Sequence, residues 1–394
     1  MNPELLHRDT WVEIHLDKIE NNVKELRKYL PPSTKLMAAV KADAYGHGDL
    51  QVSKIALRAG AEGLAVSILR EALFLRRNGI EAPILVLTPI LPSDVNLAIE
   101  NDLSVTIFQS SWLKEMRKHK KDPRPLKVHI KIDTGLGRLG LRNIQELEEI
   151  LPMLSTEDIF IEGMYTHFAT ANREDDSFFR RQFQLFSEVM EWAKDKGLEI
   201  QAYHCSNTAA TLKYPECSLD IVRVGVGMFG IYPSKEIKRD TPISLETALS
   251  FHSRILHIKK VKKGSVVGYD TAYEAQEDEW IATIPVGYAD GWYRCFQGFY
   301  LLVEGKKAPI VGKICMDQLM IKLPKKIPVG TQVTLIGKQQ GEEITLEDLA
   351  SHIESVPQEI PSMIGYRVPR VYYYNGKPVE VLTERIWQGE KCLV

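Results

Sequence analysis

The sequence predicts an α/β fold: an N-terminal (β/α)8 barrel of the TIM type followed by a mainly β C-terminal domain. Two observations carry this. Over the first ~230 residues, short apolar or β-branched runs alternate eight times with longer stretches of helical period. After about residue 245 the helical period fades, and short strands separated by Gly and Pro turns take over.

The eight barrel strands are read, in order, from KLMAAV (35–40), GLAVSI (63–68), PILVL (83–87), SVTIF (104–108), KVHIKI (127–132), IEGMYTH (161–167), IQAYH (200–204) and DIVRVGV (220–226). Segments such as DLQVSKIALRAG and IQELEEILPML carry helical period between them, and DSFFRRQFQLFSEVMEWAKDKG ends on a glycine suited to a C-cap. A doubly wound open sheet is the runner-up, because the same alternation can leave the sheet unclosed. The β domain is read from ALSFHSRILHIKKV, EWIATIPVGYA, APIVGKICMDQLMIKL, TQVTLIGK and YRVPRVYYY. The barrel is assigned to residues 10–240 and the β domain to 241–394, with PSKEIKRDTPIS (233–244) as the linker. WVEIHLD (11–17), ahead of the first barrel helix, is a candidate partner of the β domain.

Bulk composition narrows the function class. The chain has 394 residues, 44% hydrophobic and 26% charged, with a formal net charge of -2. That balance points away from nucleic acid and from an anionic membrane surface as partners. The start MNPELLHRDT has no basic residues followed by an apolar run, and no stretch reaches the roughly 20 apolar residues of a membrane helix. A cytoplasmic protein is expected. The five cysteines are scattered, odd in number and without CxxC spacing, as suits reduced thiols rather than a disulfide framework or a zinc site.

In a (β/α)8 barrel the chemistry gathers at the C-terminal ends of the strands. Lys41, Lys131, Asp133, His167, Asn207 and Arg223 all fall at or just past those ends. In AVKADAYGHG (39–48), Lys41 follows an apolar strand directly, and Tyr45, Gly46 and Gly48 add a phenol and a flexible turn where a phosphate can be held. In KIDTGLGRLG (131–140), Gly135, Gly137 and Gly140 spell G-x-G-x-x-G after a strand. A dinucleotide fingerprint has that form but opens the first βα unit, whereas this string follows the fifth strand. Alone, it suggests a nicotinamide-dependent oxidoreductase.

AVKADAYGHG resembles the pyridoxal 5′-phosphate (PLP) lysine signature of the alanine racemase family, and the resemblance runs from about Trp11 to about Tyr374. It implies that Lys41 carries PLP and is the base on one face of the substrate carbon, and that Tyr45 hydrogen-bonds the phosphate. Arg138 is placed over the substrate carboxylate, which its planar fork suits. Lys131 matches a lysine that many members carry as a carbamate, paired with that arginine. In EGMYTHFATAN (162–172), His167 stacks on the pyridine ring, although a lone histidine is ordinarily structural. In YHCSNTAAT (203–211) and DIVRVGVGMFG (220–230), Thr208, Gly225 and Val226 cradle the phosphate, with Asn207 capping the adjoining helix. Arg223 faces the pyridine nitrogen, hydrogen-bonded by His204. An arginine there stays charged and leaves that nitrogen unprotonated, which suppresses side reactions such as transamination.

The same resemblance assigns the second base to Tyr269 in VGYDTAY (267–273), and a phenol in that role needs nearby positive charge. Tyr288 in IPVGYADGW (284–292) and Met316 with Asp317 in GKICMDQ (312–318) lie near the entrance. The Met316 backbone touches the substrate carboxylate. Tyr366 in GYRVPRVY (365–372) is a phosphate and gate contact. Aromatics on β strands ordinarily serve packing, the plain alternative for all three tyrosines. The resemblance further implies a head-to-tail homodimer in which Tyr269 reaches the partner's barrel mouth. Two departures bear on gating and substrate breadth: Lys313, where many members have arginine, and SHIESVPQEIPSMIG before Tyr366. The reading is two-base racemisation of L- and D-alanine, supplying D-alanine for cell-wall peptide. A broad-specificity amino-acid racemase, a non-catalytic PLP-binding protein and the oxidoreductase stand as alternatives.

Overall fold

The computed structural model describes residues 7–383. Each of the eight runs named above forms a strand: β2 (Lys35–Ala39), β3 (Gly63–Val66), β4 (Ile84–Val86), β5 (Ser104–Ile107), β6 (Leu126–Lys131), β7 (Ile159–Tyr165), β8 (Tyr203–His204) and β9 (Ile221–Val224). They pair in the parallel order β9-β2-β3-β4-β5-β6-β7-β8. The seam between the last and first members is closed by backbone bonds from Arg223 N–H to Ser206 O (2.9 Å) and Asp220 N–H to Tyr203 O (3.1 Å), with an Asn207–Arg223 bridge. The sheet is a nearly closed barrel rather than a doubly wound open one.

The strands are mostly apolar because helices cover their outer faces while their inner faces fill the barrel; the polar exceptions include His129 and Lys131 on β6, Glu162 on β7, His204 on β8 and Arg223 on β9. All residues of β3, β5 and β9 are buried. α1 (Leu16–Tyr29) precedes the first barrel strand; the helices after the strands are α2 (Lys41–Gly46) and α3 (Asp49–Arg58), then α4 (Leu69–Arg77), α5 (Val95–Glu100), α6 (Ser110–His119), α7 (Ile144–Leu154), α8 (Ser177–Asp195) and α9 (Thr208–Lys213). In α8, the longest, Phe179, Gln182, Phe186, Val189 and Ala193 form the buried stripe, a helical spacing. Gly197 follows its end at φ +70°, a conformation open to glycine.

The chain divides into two compact units. One holds Lys18–Ala44 and Asp49–Glu246; the other takes residues 7–17, the segment Tyr45–Gly48, and residues 247–383 of those described. In the second unit β1 (Thr10–His15) pairs antiparallel with β10 (Leu249–Arg254) and parallel with Arg370–Tyr374. These belong to an 11-stranded sheet whose remaining members lie between His257 and Leu382. A separate two-stranded hairpin pairs Val266–Val267 with Tyr273–Glu274. The apolar interior of this unit includes Phe251, Trp292 and Phe296, with Trp292 and Phe296 stacked at 4.5 Å.

Among the described residues no helix is long and apolar enough to cross a membrane. Cys205, Cys217, Cys295 and Cys315 are free thiols, and Cys392 lies outside the described residues.

Candidate active site

The chain leaves β2 into a turn of unusual hand. Ala42, Asp43, Ala44 and Tyr45 all have φ between +50° and +57°, and Gly46 follows at +81°. L-residues avoid this region by about 1–2 kcal/mol each, so four in succession persist only where their surroundings fix them. Glu71 of α4, buried, does much of the fixing. Its Oε1 accepts the Ala42 N–H at 2.7 Å, while Oε2 accepts the Ser67 and Ile68 N–H groups at 2.7 and 3.2 Å. Ala44 N–H bonds Val40 O at 2.9 Å, and Asp43 Oδ1 accepts from Asp49 N–H at 3.1 Å. The turn aims Lys41 from the strand's end. Burial depresses the Lys41 ammonium pKa, the charges of Arg138 and Arg223 add to this, and Glu71 opposes it.

Across the barrel mouth, Arg223 of β9 is buried. Its Nη1 donates to His204 Nδ1 at 2.8 Å; its Nη2 donates to Thr166 O (2.9 Å), His167 Nδ1 (3.2 Å) and Cys205 O (3.3 Å). None of these acceptors is a carboxylate, and among the described residues none accepts from Nε–H. Burial and then the Arg223 charge hold both His167 and His204 well below the ordinary imidazole range, so both rings are neutral at physiological pH. Tyr165 lies flat on His204, centroids 4.8 Å apart, with the Arg223 guanidinium 5.1 Å from its ring centre.

Lys131, at the end of β6, is buried and donates to Ile132 O at 2.7 Å. Burial, reinforced by Arg223, lowers its pKa to about 7. The following GLGRLG string is a turn back onto the strand. Asp133 Oδ1 accepts from Gly135 N–H and Gly137 N–H, both at 3.0 Å, and Leu141 exchanges backbone bonds with Lys131 and Asp133. Gly135, Gly137 and Gly140 sit at φ +133°, +73° and +126°, and a Cβ on Gly140 would lie 2.8–2.9 Å from the backbone of residues 131–133. The glycines therefore serve a tight return. No helix opens on them, since α7 begins only at Ile144, and the dinucleotide reading loses its structural context. The return presents Arg138 in solvent, and its charge still lowers the pKa values of Lys41, Lys131 and His167.

At the end of the seventh barrel strand, β8, Asn207 caps α9, its side chain accepting from Ala210 N–H at 3.0 Å. Thr208 Oγ1 accepts from Gly225 N–H at 3.1 Å, tying that helix to the short turn Val226–Phe229. Gly227 permits this closeness, since a Cβ there would lie 2.9 Å from the Thr208 methyl.

The remaining predicted residues lie in the second unit. Tyr269 opens the tip of the Val266–Glu274 hairpin and is 64% exposed. Asp270 and Thr271 beside it are left-handed, and Asp270 is ion-paired to Lys313. That pairing is where the lysine-for-arginine departure is used. Tyr288 starts a short turn, its N–H bonded to Cys315 O at 3.0 Å, with Arg294 5.7 Å from its ring centre. Met316 O accepts from Ala289 N–H at 3.0 Å, and Asp317 accepts from Arg367 at 2.8 Å. Tyr366 is 76% exposed on a loop organised by buried Arg370, which donates to Ile364 O, Gly365 O and Val368 O at 2.6–2.8 Å. Arg370 Nε also donates to Gly46 O at 3.4 Å. Burial pushes the Tyr45 phenol up to about 12.

Sequence reasoning missed Glu71, His129, Glu162 and Tyr165. Tyr165 and His129 were findable as inward positions two before His167 and Lys131 on strands already identified. Glu71 carried a weaker signal, an acid in a helix's first turn.

The alanine racemase N-terminal domain matches residues 14–233 and the alanine racemase C-terminal domain residues 248–372. The chain is 48% identical to an alanine racemase of Geobacillus stearothermophilus, over 98% of each chain. It is 42% identical to alanine racemase 1 of Bacillus subtilis, over 97% of each. Among solved structures, the alanine racemase of Bacillus anthracis with bound L-Ala-P superimposes with a TM-score of 0.94 at 46% identity, covering 95% of this chain and 98% of that one. A histidine racemase from Leuconostoc mesenteroides gives 0.84 at 33% identity, covering 93% and 98%. The chain belongs to the alanine racemase family, isomerases that interconvert the enantiomers of alanine.

Proposed function

We propose that the chain racemises alanine by a two-base route with PLP bound through Lys41 at the barrel mouth. The observation that carries this is Arg223: a buried guanidinium that among the described residues has no carboxylate partner and no acceptor for its Nε–H, flanked by neutral His167 and His204. A pyridine nitrogen is such an acceptor, and a neutral imidazole beside it suits ring stacking. When bound, PLP supplies the electron sink that acidifies the substrate Cα–H.

The side chains do the rest. Lys41, its pKa depressed by burial, is an amine able to take or return a proton at one face of the α-carbon. Tyr269 takes the proton of L-alanine at the other face, and D-alanine reverses the two roles. Arg138 holds the substrate carboxylate. Arg223 keeps its own proton and so leaves the pyridine nitrogen unprotonated, favouring return of a proton over transfer of the amino group. Thr208, Gly225, Val226, Tyr45 and Tyr366, with the Asn207-capped helix, hold the phosphate. Tyr288, Met316 and Asp317 line the entrance. Lys131, with a pKa of about 7, carries a carbamate facing Arg138: neutral Nζ attacks carbon dioxide, the N–C bond forms and a proton leaves.

The exposure of Tyr269, Met316 and Tyr366 supports a head-to-tail homodimer with Tyr269 at the partner's site. An active monomer, seen by light scattering with a coupled assay, rejects that arrangement. The proposed setting is the cytoplasm, with D-alanine delivered to cell-wall peptide. A broader substrate range is the second reading, favoured by the likeness to a histidine racemase, and a panel of L-amino acids separates it.

The central test is chiral chromatography of L-alanine incubated with the protein in heavy water. D-Alanine carrying deuterium at the α-carbon is expected, with none from Lys41→Ala. A folded yellow protein that makes no D-alanine overturns the proposal.

A further inference from the structure

Beneath Arg223 a hydrogen-bonded chain runs away from the barrel mouth. Arg223 Nη1 meets His204 Nδ1 at 2.8 Å, His204 Nε2 meets His129 Nδ1 at 2.8 Å, and His129 Nε2 meets Glu162 Oε2 at 3.2 Å. Ser104 also donates to Glu162. Arg223, His204 and His129 are all buried.

The two ends of this chain place every proton in it. A guanidinium has donors and no acceptor, so His204 Nδ1 must present its lone pair to Arg223. The His204 proton then sits on Nε2 and is donated to His129 Nδ1. The His129 proton sits in turn on Nε2 and is donated to the carboxylate, which only accepts. Reversing either ring would set two N–H groups or two lone pairs against each other at 2.8 Å, inside a region where an unmade bond is costly.

The local fold is built around this contact. The β6–β7 register shifts between Val128 and His129: Val128 pairs with Ile161 and His129 with Gly163, leaving Glu162 as the extra residue of a bulge. A bulge re-aims a side chain, and here the carboxylate is turned to the imidazole. Gly163 leaves room for the ring, since a Cβ there would lie 2.3 Å from His129 Nδ1. Glu162 also borders a cavity of about 250 Å³ whose mostly apolar lining includes the polar residues Lys35, Glu62, Ser104 and Gln201. Burial works against its ionisation, but the bonds from His129 and Ser104 outweigh that and hold the carboxyl down to about 2.

We infer that Glu162 is a positioning residue for the reaction: it is the counter-charge of Arg223 delivered through two imidazoles, fixing both in the tautomer that keeps the guanidinium aimed at the cofactor ring. This rests on the PLP reading, because the aimed group is the one assigned to the pyridine nitrogen.

The test uses the full chain with PLP, as wild type, Glu162→Gln and Glu162→Ala. Gln keeps an acceptor oxygen and removes the charge; Ala removes both. For Ala the expected result is a fall in kcat of roughly 10-fold or more, the scale of losing an outer partner of a ligating histidine. KM for alanine stays within about twofold and conversion of bound cofactor to its amine form per turnover rises, with Gln between Ala and wild type. Nitrogen-15 spectra of histidine-labelled protein supply a readout independent of activity. His129 and His204 both show Nε2–H tautomers in wild type, and this uniformity is lost in Glu162→Ala. Wild-type kcat, wild-type partition and unchanged histidine spectra in both variants overturn the inference. A wild type that binds no PLP and makes no D-alanine sinks the functional reading instead, while the spectra of the cofactor-free protein still decide the proton order.

Discussion

The left-handed turn after β2 depends on one carboxylate, and Glu71→Gln isolates that dependence. Glu71 satisfies three backbone donors with two oxygens. A glutamine has one oxygen, so its amide must meet either the Ala42 N–H or the Ser67 and Ile68 pair. Keeping the oxygen on the pair costs one buried donor, about 1–3 kcal/mol, and removes charge assistance from the other two bonds at roughly 0.5–1 kcal/mol each. The sum is about 2–5 kcal/mol, a large share of the ~5–15 kcal/mol of ordinary domain stability. The damage falls on the Ala42 side, where four left-handed residues already oppose the observed conformation. Urea unfolding, read with cofactor absorbance, should show a lower midpoint with unchanged slope and weaker PLP retention. Electrostatics adds a signed effect. Glu71 raises the Lys41 pKa, so losing its charge makes Lys41 shed its proton at lower pH, and the acid limb of the rate profile moves down. Unfolding free energy within about 0.5 kcal/mol of the parent, together with unaltered retention, refutes the pinning role.

Three further outcomes follow from the same geometry. Gly46→Ala should abolish soluble folded protein, because its Cβ would lie 2.1 Å from Pro361 O at a φ of +81°, whereas Gly79→Ala, at φ +82° with no atom within 4 Å, should cost only about 1 kcal/mol in thermal unfolding. Intact mass under bicarbonate should show the added carbon dioxide on wild type and none on Lys131→Met; since only the neutral amine reacts, the adduct should fade as pH falls below about 7. A bare lysine at pH 8 sinks the carbamate. Tyr269→Phe should lose racemisation while D-alanine still exchanges its α-hydrogen with heavy water through Lys41; exchange of both enantiomers at wild-type rates contradicts the two-base assignment.

The barrel was legible because most strands are short apolar or β-branched runs between stretches of helical period, and the observed strands differ from those runs by a few residues at their ends. The placement of Lys41, Lys131, His167 and Arg223 around the barrel mouth was legible for the same reason: each stands at or near the point where a strand run stops. The hand of the turn after Lys41 was not legible. ADAY has ordinary helical propensity, and it is Glu71, 29 residues downstream, that satisfies the Ala42 donor in the left-handed form. GLGRLG misled in the opposite direction. Its spacing is that of a phosphate loop, yet its glycines answer to a backbone return within 2.9 Å of the strand it leaves.

The chain from Glu162 to Arg223 shows what separates the two kinds of information. Four residues from four different strands meet there, and pattern alone assigns His129 and Glu162 to alternate faces of regular strands. The meeting depends on the single extra residue in β7 and on the missing Cβ of Gly163, neither of which changes the apolar pattern. A residue that touches the reaction is marked in a sequence by its type and its place at a strand end. A residue that orients it is marked only by register, which one inserted position alters for every side chain beyond it. If that reasoning holds, Gly163→Ala should resemble Glu162→Ala in its histidine spectra although it leaves every polar group of the chain in place, because the ring it displaces is the link between the carboxylate and the guanidinium.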